Sequence, residues 1–305
     1  MGTTKKTDIY EIVKDNLVRR IEEISTGKLA GRWQKPWSLQ TLCPINHVSG
    51  REYSGVNLWL LNGYGSEFLT WNQIRELQAT QKHKNIKLRK GSRSHIVIYF
   101  KMVEHKDSNT DEETIIPVLR YYNVFSLDDM EGIELRRKPS TYEHTSTEAE
   151  AKLEEALTKY FSREGIAVRT IKSDGCYYSP NQHSISIPEA RYFERVDTRL
   201  SALSHEAIHS TCRKMGRPIN CDKSSFEYCY EELIAEAGAA ILLAKFGVSN
   251  EYSETNSSVY LHGWMTRIKE TPAKKLVSAL NAASKAVECI LAEETKTDLR
   301  ADYEG

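Results

Sequence analysis

In the stretch Leu203-Ser204-His205-Glu206-Ala207-Ile208-His209, two histidines stand four residues apart with a glutamate directly after the first. On an α-helix, residues i and i+4 project from one face a turn apart, so His205 and His209 can share one divalent zinc ion. Glu206 falls beside that face, where its carboxylate can act as general base on water at the metal without ligating it. More acids follow in Glu231-Glu232-Leu233-Ile234-Ala235-Glu236, inside a run of small and apolar residues that continues to Ala240. Charged side chains seldom occupy so packed a helix unless they are paired or metal-bound. Glu232 and Glu236 again lie four apart. One of them can ligate the zinc while the other accepts a hydrogen bond from a ligand histidine and fixes its tautomer.

These groups act together only if packed helices hold them. Val196, Leu200, Leu203 and Ile208 supply a helical apolar stripe for the histidine pair. That helix ends before Gly216-Arg217-Pro218, and Ser224 with Glu227 reads as the capping box of the helix carrying the acids. Upstream, Leu153, Leu157, Tyr160 and Phe161 mark an amphipathic helix that starts at Thr147 and closes at Gly165. Ile166 to Ile171 and Ser184 to Ile187 read as strands, with Tyr177 to Pro180 entering a turn between them. The expected result is a small antiparallel sheet whose edge can pair with an extended peptide. Val259 to Trp264 and Lys274 to Leu291 read as helices that complete the core.

The first half carries a different chemistry. Between Glu76 and Glu104 there is no acidic residue, while Lys82, Lys84, Lys87, Arg89, Lys90, Arg93 and Lys101 accumulate. Trp33, Trp37, Tyr53 and Trp71 lie in the same half. Phosphate neutralisation combined with base stacking is how single strands are held. The supporting elements are a helix from Asp8 to Ser25, a short helix starting near Val56, and another capped by Thr70. Ile96 to Phe100 and Val118 to Phe125 read as buried strands joined by an acidic loop. Hydrophobic patterning lapses after the second strand, so the expected division is residues 1–130, a linker of 131–146, and a second domain of 147–305.

The fold class expected is α+β in two domains, the first an α+β nucleic-acid-binding unit and the second mainly helical with the small sheet. Formal net charge is zero, so no global field draws the chain to nucleic acid or membrane, and any basic face is local. The six cysteines are scattered without a C-x-x-C pair, as free thiols in a reducing compartment are. No apolar N-terminal run is present, and the longest apolar stretch, around Ala237 to Phe246, is too short to span a bilayer. A cytoplasmic protein without a membrane partner is the expectation.

Taken together, these residues resemble the ArdC-like antirestriction proteins of plasmids and other mobile elements. In the first half the resemblance rests on Lys35-Pro36-Trp37, Asn46 with Gly50, Tyr53-Ser54-Gly55-Val56-Asn57, Leu69-Thr70-Trp71, Arg89-Lys90-Gly91-Ser92, Ile98-Tyr99-Phe100 and Tyr122-Asn123-Val124-Phe125. That pattern is similar to the family's single-stranded-DNA-binding domain. In the second half it rests on Tyr177-Tyr178-Ser179-Pro180, Ile187-Pro188, the H-E-x-x-H stretch and Glu231-Glu232 to Glu236, which look like a zincin-type metallopeptidase. The chain departs from the family in having Ala207-Ile208 where Leu-Gly is frequent, a change that leaves ligands and base intact.

The resemblance implies single-stranded DNA as partner, a metal site, and a protein substrate if peptides are cleaved. The residues then expected at the metal are His205, His209 and Glu232 as zinc ligands, Glu206 as base and Glu236 behind the ligands. Tyr178, His183 and His262 are candidates for stabilising an oxyanion. For DNA they are Trp37, Tyr53, Asn57, Trp71, Lys87, Arg89, Lys90 and Arg93. The alternative is a DNA-protecting binding protein whose zinc site is structural or idle. Glu206 separates the two, because a purely structural site has no need of a base there.

Overall fold

The computed structural model describes residues 8–25, 43–106, 113–136, 147–173, 175–193, 195–219, 222, 225–248 and 269–292. The first half opens with helix α1 (Ile9–Ser25), followed by β1 (Ile45–Asn46), α2 (Val56–Leu61), β2 (Glu67–Thr70) and α3 (Trp71–Thr80). Short β3 (Lys87–Leu88), long β4 (His95–Lys106) and β5 (Glu113–Ser126), and short β6 (Met130–Glu131) complete it. Thr70 caps α3 as expected: its hydroxyl accepts the Gln73 N–H, and the Gln73 side chain accepts the Thr70 N–H at 2.9 Å. The main sheet runs β1-β2-β5-β4, parallel between β1 and β2 and antiparallel elsewhere, while β3 and β6 pair separately.

The two long strands differ from the buried strands expected between Ile96 and Phe125. β2 covers β5 only at Val124 to Ser126, so the rest of β4–β5 continues past the sheet as a two-stranded ribbon. Val97 and Val124 are buried at its base, but Tyr99, Phe100, Tyr121 and Tyr122 are exposed. Ile98 and Leu119 between them pack into the main core, but among the described residues no strand or helix covers these four aromatics, which stay in solvent.

The second half contains α4 (Thr147–Glu164), β7 (Ala167–Ile171), β8 (Tyr177–Ser179), β9 (Ser184–Pro188), α5 (Val196–Ser210), α6 (Cys212–Met215), α7 (Phe226–Phe246) and α8 (Ala273–Leu291). The small sheet is mixed rather than antiparallel. Its order is β7-β9-β8, with β7 parallel and β8 antiparallel to β9. A tight turn forces β8 and β9 into a hairpin, whereas β9 returns beside β7, and parallel to it, only after the chain has passed through β8. Central β9 is buried throughout, and β8 is left as an edge. Two local expectations also change. Val196, placed on the apolar stripe of α5, is 52% exposed at the helix start, and Ala207 joins Leu200, Leu203 and Ile208 inside instead. The N-cap of α7 is Ser225, whose side chain accepts the Tyr228 N–H. Ser224, Trp33, Trp37, His262 and the expected Val259 to Trp264 helix lie outside the described residues.

One buried apolar cluster runs through both halves, joining Val13, Leu17 and Leu58 to Leu276, Leu280 and Val287. At the seam, α8 caps α2 in trans. Ser284 Oγ accepts the Gly55 N–H at 2.8 Å, and Asn281 Oδ1 accepts the Val56 N–H at 3.1 Å. Gly55 has φ +59°, and a Cβ there would lie 2.0 Å from Asn281 Oδ1, so both the turn and the close approach require glycine. Lys14 Nζ adds hydrogen bonds to the carbonyls of Lys269 and Thr271 at 2.6 and 2.8 Å.

Helices α5 and α7 approach closely at Gly238, where an added Cβ would stand 2.6 Å from Ile208 Cδ1. Ile208 is β-branched and fully buried, so it has no rotamer into which to retreat. Gly238→Ala is therefore expected to lower stability by about 1–3 kcal/mol, as overpacked cores do. Urea denaturation measures this, and adding Ile208→Val should return part of the loss.

Candidate functional site

The face of α5 opposite its core carries His205 and His209, and the packing of α7 brings Glu232 over them. Nε2 of His205 and Nε2 of His209 are 3.1 Å apart. Glu232 places Oε2 at 3.6 Å from His205 Nε2 and Oε1 at 3.5 Å from His209 Nε2. A tetrahedral ion with bonds of about 2.0–2.1 Å needs donor atoms about 3.3–3.4 Å from one another. The three side chains thus fit one such ion, and they form a cluster in which a ligand atom from each lies within 4.8 Å of the others.

The electrostatics of the cluster also favour a cation. Burial by itself would depress His209, yet hydrogen bonds to Glu231 and Glu232 raise it to about 9. His205 is likewise raised by Glu232 and Glu236 against the effect of burial. Burial opposes ionisation of Glu232, but the two imidazoles outweigh it and hold the carboxyl well below its ordinary range. Glu206, 7% exposed, is pushed up by burial, partly offset by His205 and His209. The main-chain N–H of Tyr178, on the edge strand β8, donates to Glu206 Oε2 at 2.7 Å and fixes the carboxylate beside the histidines.

Behind the two histidines stands Glu231, which the sequence offers as an alternative third ligand rather than in this place. His209 Nδ1 is 3.2 Å from Glu231 Oε1, and Glu231 is held below its usual range, against its burial, by His209 and Arg217. An ionised carboxylate there accepts the Nδ1 proton, which leaves Nε2 free for a metal. Arg217 grips Glu231 through Nε at 3.0 Å and Nη2 at 2.9 Å. It also donates to the Ile208 carbonyl at 3.0 Å and to Thr211 Oγ1 at 2.9 Å. Glu236, expected behind the ligands, lies 3.6 Å from His205 Nδ1. The available signal for Arg217 was its place directly after Gly216, where the chain reverses at the end of the histidine-bearing helices. Of the oxyanion candidates, the Tyr178 hydroxyl is spent on His183 Nδ1 at 2.8 Å, and His183 Nε2 donates to the Glu164 carbonyl at 3.0 Å.

The residues expected at DNA are not gathered into one cluster. Trp37 lies outside the described residues. Trp71 is 50% exposed at the first turn of α3. Tyr53 is half-buried, with its ring edge-on to Phe68 at 6.2 Å. Asn57 is committed to the main chain: its side chain donates to the Ile98 carbonyl at 2.9 Å and accepts the Ile98 N–H at 2.8 Å. Lys87 and Arg89 are exposed but engage Glu131 and the Asp128 carbonyl, respectively. Lys90 and Arg93 are exposed.

Because Arg217 aims Glu231, and Glu231 aims His209, Arg217→Met is expected to weaken metal affinity about 10–100-fold. Competition against a chromophoric chelator reads this directly, with an unchanged circular dichroism spectrum marking an intact fold. Glu232→Ala removes a ligand and should cost more than Glu236→Ala in the same assay.

Comparison with known proteins accords with this geometry. Residues 7–125 match the N-terminal domain of anti-restriction factor ArdC, and residues 155–284 match a zincin-like metallopeptidase domain. The fold is similar to the metal-free crystal structure of the antirestriction ArdC protein from R388 plasmid, at 26% identity and a TM-score of 0.66, covering 93% of this chain and 97% of that one. The Mn(II)-bound structure of the R388 protein aligns over the same shares at 24% identity and a TM-score of 0.66. No curated protein matches the chain. The chain thus joins a domain matching the N-terminal domain of anti-restriction factor ArdC to one matching a zincin-like metallopeptidase, in a fold similar to that of the R388 antirestriction ArdC protein.

Proposed function

We propose that this protein binds single-stranded DNA in antirestriction and carries a zinc-dependent peptidase centre in its second half. The observation that carries the reading is the convergence of His205, His209 and Glu232 at metal-sharing distances, with Glu206 buried beside them. Two imidazoles and one carboxylate leave a position open, the pattern of a catalytic rather than a structural site. The R388 protein has a Mn(II)-bound structure, but zinc lies above manganese in affinity for such donors.

A metal held there supplies Lewis acidity to water and to a peptide carbonyl. His205 and His209 hold its position, and Glu231 keeps the proton of His209 on Nδ1. Glu206 takes the proton of the attacking water and returns it to the leaving amine. The Tyr178 amide keeps the carboxylate aimed while it does so. An extended protein substrate fits along β8, the edge strand that supplies this amide.

The first half supplies the DNA-binding function through the exposed Trp71, Lys90 and Arg93, with Lys87 and Arg89 adding charge beside them. Stacking and phosphate contacts do not read base edges, so sequence preference is weak. The free thiols of Cys176, Cys212, Cys229 and Cys289 support a reducing, cytoplasmic setting. Among the described residues no helix is long and apolar enough to cross a membrane.

The test is metal analysis of wild type and Glu206→Gln, with both assayed for antirestriction in cells. About one zinc per chain is expected in each, since the base is not a ligand. Protection should fall in Glu206→Gln. Full protection by that variant would leave DNA binding alone as the function.

A further inference from the structure

The ribbon formed by β4 and β5 presents two unlike faces. Antiparallel register places opposed residues on the same side, so Val97, Tyr99 and Lys101 share a face with Tyr122, Arg120 and Val118. Phe100 and Met102 lie on the other side, opposite Leu119 and Pro117. At its base the first face closes over the buried Val97 and Val124, and beyond them it stands open. There Tyr99 is 45% and Tyr122 37% exposed, with ring centroids 5.7 Å apart. Arg120 faces Tyr99 directly across the strands, and Lys101 follows on the same strand; both are exposed.

Charge is sorted between the faces. From Val97 to Val103 and from Ile116 to Tyr122, the cations Lys101 and Arg120 both fall on the Tyr99 side, and no aspartate or glutamate falls on it. The strand also begins two residues after Arg93, and Lys101 within it belongs to the same basic run. A pair of exposed aromatic rings flanked by cations on an acid-free face matches the needs of an unpaired strand: planar surfaces for bases and positive charge for phosphates. A duplex would offer the phosphates but keep its base faces stacked away.

From this arrangement we infer that Tyr99 and Tyr122 form the stacking platform for single-stranded DNA, with Lys101 and Arg120 holding its phosphates. This inference rests on the proposed single-strand binding and adds a stacking surface to Trp71, Lys90 and Arg93, with the expected Tyr53 packed at its base against Val97 and Val124.

Fluorescence anisotropy of the full chain with a labelled oligothymidine, across a salt series, tests it. Tyr99→Leu and Tyr122→Leu should each weaken binding roughly 5- to 150-fold with little change in salt dependence. Lys101→Met and Arg120→Met should each flatten the salt slope by about 0.7. Phe100→Leu, on the opposite face, should bind as wild type. If the tyrosine variants lose melting temperature, the Lys101 and Arg120 slopes decide alone. Wild-type affinity in the tyrosine variants, or an equal loss in Phe100→Leu, overturns the platform while single-strand binding stands. A wild-type chain that fails to bind oligothymidine overturns both. A dimer that dissociates in Tyr99→Leu, seen by light scattering, assigns the face to a second copy and overturns it as well.

Discussion

The close packing of α5 against α7 is the constraint on which the rest of the second half depends. Gly238 lets the helices approach at Ile208, and the alanines around it give α7 a surface without protruding side chains. At that separation Glu232 lies within 3.6 Å of both ligand histidines. A longer separation would leave buried imidazoles and carboxylates facing each other across a gap, each retaining its desolvation penalty without its partner. The same contact therefore permits the metal cluster and makes it tolerable in a buried setting. Arg217 completes the balance, because its guanidinium shares with His209 the charge of Glu231, a carboxylate that α7 would otherwise bury with a single partner.

The coupling between the halves has an equally local origin. Six-residue α2 is too short to be stable alone, and its first amides are satisfied by Asn281 and Ser284 of α8. Helix α8 in turn packs against α7, which carries Glu232. Helix α1 lies on the other side of this seam, tied through Lys14 to the segment that leads into α8. The two halves are thus built around one continuous core, and the geometry of one is referred to the other through α8.

The sheet of the first half ends where its neighbour stops. Beyond the three residues that pair β5 with β2, only Val97, Ile98 and Leu119 remain buried, and among the described residues the outer part of the ribbon meets solvent on both faces. Exposed aromatics in such number are unusual on a surface that touches nothing. The sorting of charge between the two faces follows directly from the period of two along each strand.

Much of the candidate metal cluster was legible in the primary structure, because helical spacing is a local property. His205 and His209 four apart, and Glu206 between them, specify a shared face and a flanking base wherever that helix lies. The helices themselves were readable for the same reason, as were the Thr70 cap and the run ending at Leu291. The choice among Glu231, Glu232 and Glu236 depended on how α7 rotates against α5, and periodicity within α7 alone contains no information about that rotation. Arg217 was hidden because its partners, Ile208, Thr211 and Glu231, converge only after the chain turns back at Gly216. Strand sequences likewise state an alternation but not what covers each face, so Tyr99 and Tyr122 read as buried until pairing left them outside. The parallel entry of β7 beside β9 has the same character. Spacing along a helix or strand is set by backbone geometry within the segment. Which faces meet, and which are left to solvent, is set by contacts between residues far apart in the chain, and only the tertiary structure decided those.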